Sequence, residues 1–160
     1  MTEFEEKHNK AKKHLMAADH MLTTTYPLIQ DPKMLLAVVD NISNSLTLLM
    51  ETILEFDKYY KRIGYYGDSF ESKCNVFQQE VAQRYSFDKE FIILMKEIKE
   101  VIKSHKSSPV EFSKNGKFVI CNENYTIKTI SVDELKKNIA KAKLYYNVTS
   151  NILKNDRIFN

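Results

Sequence analysis

The chain has 160 residues, 43% hydrophobic and 28% charged, with a formal net charge of +3. That length and balance predict one globular domain over residues 1–160 and exclude a disordered, collagen-like or disulfide-framework chain. No apolar run reaches the roughly 18 residues a membrane span needs, and the opening MTEFEEKHNK lacks the apolar stretch of a signal peptide, so the expected location is the cytoplasm, with no membrane partner. Cys74 and Cys121 form no CxxC and are expected as reduced thiols. Residues 1–95 carry 11 Lys/Arg against 14 Asp/Glu, whereas residues 96–160 carry 13 against 7. This asymmetry reads first as solvated helix faces and second as a surface for a polyanion.

Thr2-Glu3-Phe4-Glu5 fits a capping box, in which hydroxyl and carboxylate each satisfy a free N–H at the helix start. It opens a helix expected to run to about Thr25, with Phe4, His8, Ala11, Leu15, Ala18 and Leu22 as its seam. Tyr26-Pro27 is expected to end that helix, because the residue before proline avoids helical angles. From Asp31 to Arg62 comes the most apolar stretch. Leu35, Val38, Ile42, Leu46, Leu49, Ile53, Phe56, Tyr60 and Ile63 recur at steps of three or four, and Met34, Leu36, Val39, Met50 and Leu54 widen the face to about half the circumference. A face that wide needs neighbours on both sides, so this is the expected central helix, with Asp31 as its cap and Pro32 in its first turn.

Gly64 to Gly67 reads as a turn. Phe70, Cys74, Phe77 and Val81 mark a third, shorter helix capped near Ser69. Ser86 or Asp88 starts a fourth, along which Phe91, Leu94, Met95, Ile98, Val101 and Ile102 form a stripe and Lys103, His105 and Lys106 complement the dipole in the last turn. From Pro109 the period falls to two. Asn115-Gly116 between two β-prone runs is a hairpin signal. A two-residue turn there pairs Ser113 with Phe118 and Phe112 with Val119, and Tyr125, Ile127 and Thr129 are a candidate third strand. Ser131-Val-Asp-Glu134 is another capping box, opening a last helix with Val132, Leu135, Ile139, Ala142, Tyr146 and Leu153 inward. The expected fold is therefore mainly α: an antiparallel bundle of about five helices, with a small β-hairpin inserted at about 109–130 before the last helix.

Catalytic signatures are sparse. The glycines are too scattered for a phosphate loop, and neither a nucleophile elbow nor HExxH is present. Glu5-Glu6-Lys7-His8 contains one ExxH, but a di-metal bundle needs two on facing helices. His8, His14 and His20 are spaced by six, which scatters them around the helix. No catalytic, metal or cofactor residue is assigned, and no cofactor is expected. Asp57 falls inside the apolar arc. It reads either as an acid in a pocket with Tyr60, or as a carboxylate at the bundle end paired with Lys61 or a tyrosine hydroxyl. Tyr59, Tyr60, Tyr65 and Tyr66 cluster at that same end, as a plug or an interface.

The paired long helices, AKKHLMAADHML feeding DPKMLLAVVDNISNSLTLLMETIL, resemble the HEPN superfamily over about residues 10–105. That resemblance implies a small helical bundle, dimerisation, and roles in RNA cleavage, toxin–antitoxin pairs or nucleotide binding. The family's nuclease signature is Arg, four to six residues, then His. Arg62, Arg84 and Arg157 have no histidine at that distance, so the resemblance implies a member without the standard ribonuclease site. The leading expectation is a non-catalytic interaction module, a homodimer or a binder of another protein. The alternatives are an RNA- or DNA-associated protein contacting nucleic acid through Lys103, His105, Lys106, Lys114, Lys117, Tyr125 and Lys128, with Phe112 and Phe118 interleaved for stacking, and an enzyme whose site lies around Asp57.

Overall fold

The computed structural model describes residues 1–106, 110–114, 117–121 and 127–155, of which 110–114 are described as backbone alone. The elements are α1 (Glu3–His20), a π-helical turn (Met21–Thr25), α2 (Tyr26–Ile29), α3 (Met34–Tyr59), α4 (Phe70–Val76), a second π-helical turn (Phe77–Val81), α5 (Lys89–Lys106), β1 (Val110–Lys114), β2 (Lys117–Cys121), β3 (Ile127–Ser131) and α6 (Val132–Asn155). The mainly helical bundle with its β insertion before the last helix is the architecture read from the sequence.

The apolar face of α3 makes it the centre. Leu35, Val38, Ile42, Leu46, Leu49, Ile53 and Phe56 have essentially no exposed surface, and α3 touches α1, α4, α5 and α6. It approaches α1 closely because Ala11 and Ala18 leave room, and Ser45 Oγ donates to the Ala11 carbonyl across the gap at 2.8 Å. The reciprocal Thr2–Glu5 capping box forms as the sequence predicts. Asp31 caps the turn leading into α3, its Oδ1 accepting from the Lys33 N–H at 3.0 Å.

The first helical run does not stop at Tyr26-Pro27. It widens into a π turn, with the Tyr26 N–H reaching back to the Met21 carbonyl, and continues through Ile29. The wider turn relieves the crowding that the proline ring imposes on the preceding turn of an α-helix. The run ends at Gln30, in the left-handed region at φ 55°. In α6 the inward aromatic is Tyr145 at 4% exposure, whereas Tyr146 is half-buried. Tyr145 packs edge-on against Phe91 at 4.9 Å and lies nearly parallel to Phe87 at 5.8 Å. Leu135, Ile139, Ala142 and Leu153 are buried as the sequence predicts, so the phase of the helix holds and the aromatic cluster decides only which of the two tyrosines faces inward.

The three strands form one antiparallel sheet in the order β1-β2-β3. Phe112 pairs with Val119, Ser113 with Phe118 and Lys114 with Lys117, which is the register expected of a two-residue turn; Asn115 and Gly116 themselves lie outside the described residues. Phe118, Ile120 and Ile130 are buried. A two- or three-stranded piece needs such support to persist. Here Ile130, together with Val39, Ile42, Ile98 and Leu135, borders a small internal cleft between sheet and helices.

Candidate functional site

Asp57 is the one acidic side chain buried in the apolar face of α3. Its carboxylate is fully buried. Arg62 donates to Oδ1 at 3.4 Å, Arg84 donates to Oδ2 and the Tyr85 hydroxyl donates to Oδ1. Arg62 also donates to the Tyr85 oxygen at 2.7 Å, so the four side chains close a network. Burial pushes the Tyr85 hydroxyl pKa upward, and its bond to the Asp57 carboxylate adds to that. Burial opposes the charge on Arg62, but Tyr85 and Asp57 outweigh it and raise its pKa. A carboxylate so enclosed is held by its partners and is closed to a substrate. Of the two expected kinds of partner, Lys61 is exposed, with φ 58°, while a tyrosine hydroxyl, that of Tyr85, does pair with the carboxylate; the guanidinium partners come from the adjacent Arg62 and from Arg84 before α5. Tyr60 is half-buried, edge-on to Phe56 at 5.0 Å, with the Arg62 guanidinium 5.3 Å from its ring centre. Together with the Phe4–Phe56 contact at 5.2 Å, these rings plug the bundle end, while Tyr65 stands 86% exposed. Asp57 and Tyr60 therefore take part in the packing at this end of the bundle.

The basic neighbourhood is partly assembled. Lys103 and Lys106 are exposed on the last turns of α5 and Lys117 is exposed at the start of β2. The half-buried His105 ring lies 6.4 Å from that of Phe118, which brings the end of α5 beside β2. Lys114 is the register partner of Lys117. Lys128 is half-buried on β3, opposite Ile120, away from the Lys114–Lys117 row. Tyr125 lies outside the described residues. Phe118 is buried and cannot stack on a base; among the described residues of this neighbourhood, Lys103, Lys106 and Lys117 are exposed.

Lys99 was not among the residues singled out from the sequence, and it completes the group. Lys99, Lys103 and Lys106 stand at i, i+4 and i+7, one helical face. With Ile102 they line an open cleft of about 440 Å³. Lys99 also sits over the Phe70 ring at 4.5 Å, which fixes the upper end of the cleft. The spacing was visible in the sequence; the apolar wall beside it was not. Three ammonium groups over about two turns, near a helix C-terminus that favours cations, form a surface suited to phosphate oxygens.

Two acid groups elsewhere on the bundle are engaged. Glu51 bridges Lys7 and Lys73, each at 3.1 Å, and Tyr66 donates to Glu55 at 2.6 Å. Among the described residues no group of three His, Cys, Asp or Glu stands close enough to hold a metal ion, and no helix is long and apolar enough to cross a membrane. Set against known families, curated proteins and solved structures, the chain matches none of them.

Proposed function

We propose that this chain is a helical-bundle binding module, HEPN-like in its paired helices but working without catalysis, and that the lysine face of α5 contacts the phosphate backbone of RNA. The supporting observation is the cleft lined by Lys99, Lys103 and Lys106, continued by exposed Lys117. Lysines neutralise phosphates without reading bases. With Phe118 turned inward, the proposed contact runs through the lysine ammonium groups, so it is sequence-tolerant and accepts duplex as well as single strands.

Fluorescence anisotropy with labelled single-stranded and duplex RNA tests this. At about 50 mM salt both bind, and affinity falls as salt rises, with a slope near −0.7 per phosphate neutralised on single strands. Lys103→Glu/Lys106→Glu weakens both and flattens the slope by more than one. Absence of binding at that salt, or an unchanged slope in the double variant, removes the reading.

A second reading, self-association into a homodimer, is favoured by the tip of α2, where Leu28 is 83% and Ile29 62% exposed. Light scattering across micromolar concentrations gives twice the chain mass for the parent and the single mass for Leu28→Ser/Ile29→Ser. A single mass for the parent throughout ends this second reading.

A further inference from the structure

The start of α1 and the end of α6 run past each other and leave an open cleft of about 470 Å³ between them, lined by Met1, Glu5, His8, Asn9, Tyr146, Ser150, Leu153 and Lys154. That volume is in the range of small-molecule sites. The His8 ring lies flat on Tyr146, parallel at 4.6 Å, and its Nε2 stands 3.0 Å from Ser150 Oγ. The Ser150 hydroxyl also lies 3.0 Å from the Tyr146 carbonyl one turn back. A hydroxyl carries one hydrogen. When Ser150 spends it on that carbonyl, Nε2–H of His8 becomes the donor to Ser150 and Nδ1 carries the lone pair. The imidazole is thus fixed by a ring on one face and a hydroxyl at one edge.

Charge around this ring is unbalanced. Lys12 and Lys154 both act on it, and after burial they are the causes that lower its pKa. The Glu5 carboxylate, which also lines the cleft, has Oε2 engaged by the Thr2 N–H at 3.0 Å in the helix cap. An apolar Leu153, a fixed aromatic pair and the Lys154 ammonium with an amide beside it together describe a receptor for an amphipathic anion.

We propose that the α1–α6 cleft binds a small organic anion, its carboxylate or phosphate head at Lys154, Asn9 and His8 and its apolar body on Tyr146 and Leu153. The site is separate from the lysine face of α5 and does not depend on it. A bound anion offsets the field of Lys12 and Lys154 at the imidazole, so binding and protonation of His8 are linked: the anion draws a proton onto His8, and protonated His8 holds the anion more tightly.

The experiment follows the His8 ring resonances of the full chain by NMR across pH, assigned by comparison with His8→Gln. It is run with benzoate, with phenyl phosphate, and with sodium chloride at matched ionic strength, each at tens of millimolar. The expected result is a rise in the His8 midpoint of about one pH unit with at least one organic probe, equivalent to about tenfold tighter binding to the protonated form. The rise is absent with chloride and lost in Lys154→Gln, whose exposed side chain leaves the fold intact by its NMR spectrum. Comparison of the two probes separates a carboxylate from a phosphate ligand. An unmoved midpoint with both probes, an equal rise with chloride, or an undiminished rise in Lys154→Gln overturns the proposal.

Discussion

Asp57 and Arg84 stand 27 positions apart in the chain and meet in the fold as carboxylate and guanidinium. The two are not equally placed: the acid is fully buried, whereas Arg84 retains 34% of its side-chain exposure. Once the partner is lost, the arginine can turn to water and the carboxylate cannot. Asp57→Asn is therefore the milder change, at roughly 1–2 kcal/mol, and Arg62→Met/Arg84→Met the harsher, at about 3 kcal/mol or more, because it leaves a buried charge with Tyr85 alone. Urea unfolding of the two variants gives the order. If Asp57→Asn is the more damaging, the buried carboxylate is not the group that requires compensation.

His8 makes stability depend on pH on the acid side. Its folded pKa lies below the ordinary 6.5, through burial and then Lys12 and Lys154. Between the two pKa values the unfolded chain binds more protons than the folded one, so stability is complete above about 6.5 and falls as pH drops toward the folded value. The half-buried ring keeps the effect modest. Thermal melts from pH 7.5 to 5.5, a range bracketing the histidine pKa, should show a larger loss for the parent than for His8→Gln. Parallel curves would show that His8 titrates alike in both states.

Glu51 acts with the same sign as His8, in a more acidic window. Burial pushes its pKa up, but the bonds from Lys73 and Lys7 outweigh burial and hold it below the usual 4.5. Its contribution is present above about pH 4.5 and is lost as pH falls through the lower folded value. Glu51→Gln thus lowers the melting temperature at pH 7 and changes it little near pH 3. A deficit of the same size at both values would place its cause in packing and not in charge.

Leu49 and Leu48 test the phase of α3. Leu49 has no exposed surface, while Leu48 is half-buried against the edge of the core. Leu49→Ala costs roughly 2–5 kcal/mol, as truncation of a fully buried leucine does, and Leu48→Ala costs distinctly less. Equal denaturant midpoints for the two variants would contradict the placement of the helix.

How far the fold could be read from residues alone depended on how local each determinant was. The α3 face was legible because one helical period holds through a helix of 26 residues. The pairing of Phe112 with Val119 was legible because a two-residue turn leaves one register. The π turns were not, since the apolar spacing around Leu22 and Phe77 does not change where the hydrogen bonding does. The choice of Tyr145 over Tyr146 was settled by Phe87 and Phe91, more than fifty positions away. For the same reason Asp57 could be flagged as unusual but not matched to Arg84 and Tyr85. Among the basic residues, the sequence pattern picks out Lys103, Lys106 and Lys117, while the burial of Phe118 depended on how the sheet lies against α5.

The close seam between α1 and α3, where Ser45 meets the Ala11 carbonyl, also bears on the order of assembly. These helices are neighbours in sequence, so their pairing closes only a short loop. By contrast, α6 docks on both of them from the far end of the chain, after a sheet built on non-local pairs. Short-range contacts form first because loop closure costs them least. During synthesis the α1–α3 pair is available long before α6 leaves the ribosome, and the flank that Ile139 and Ala142 later cover stays wet until then. Substitutions at Ala11 or Ser45 should accordingly slow refolding, while substitutions at Ile139 or Ala142 should chiefly hasten unfolding.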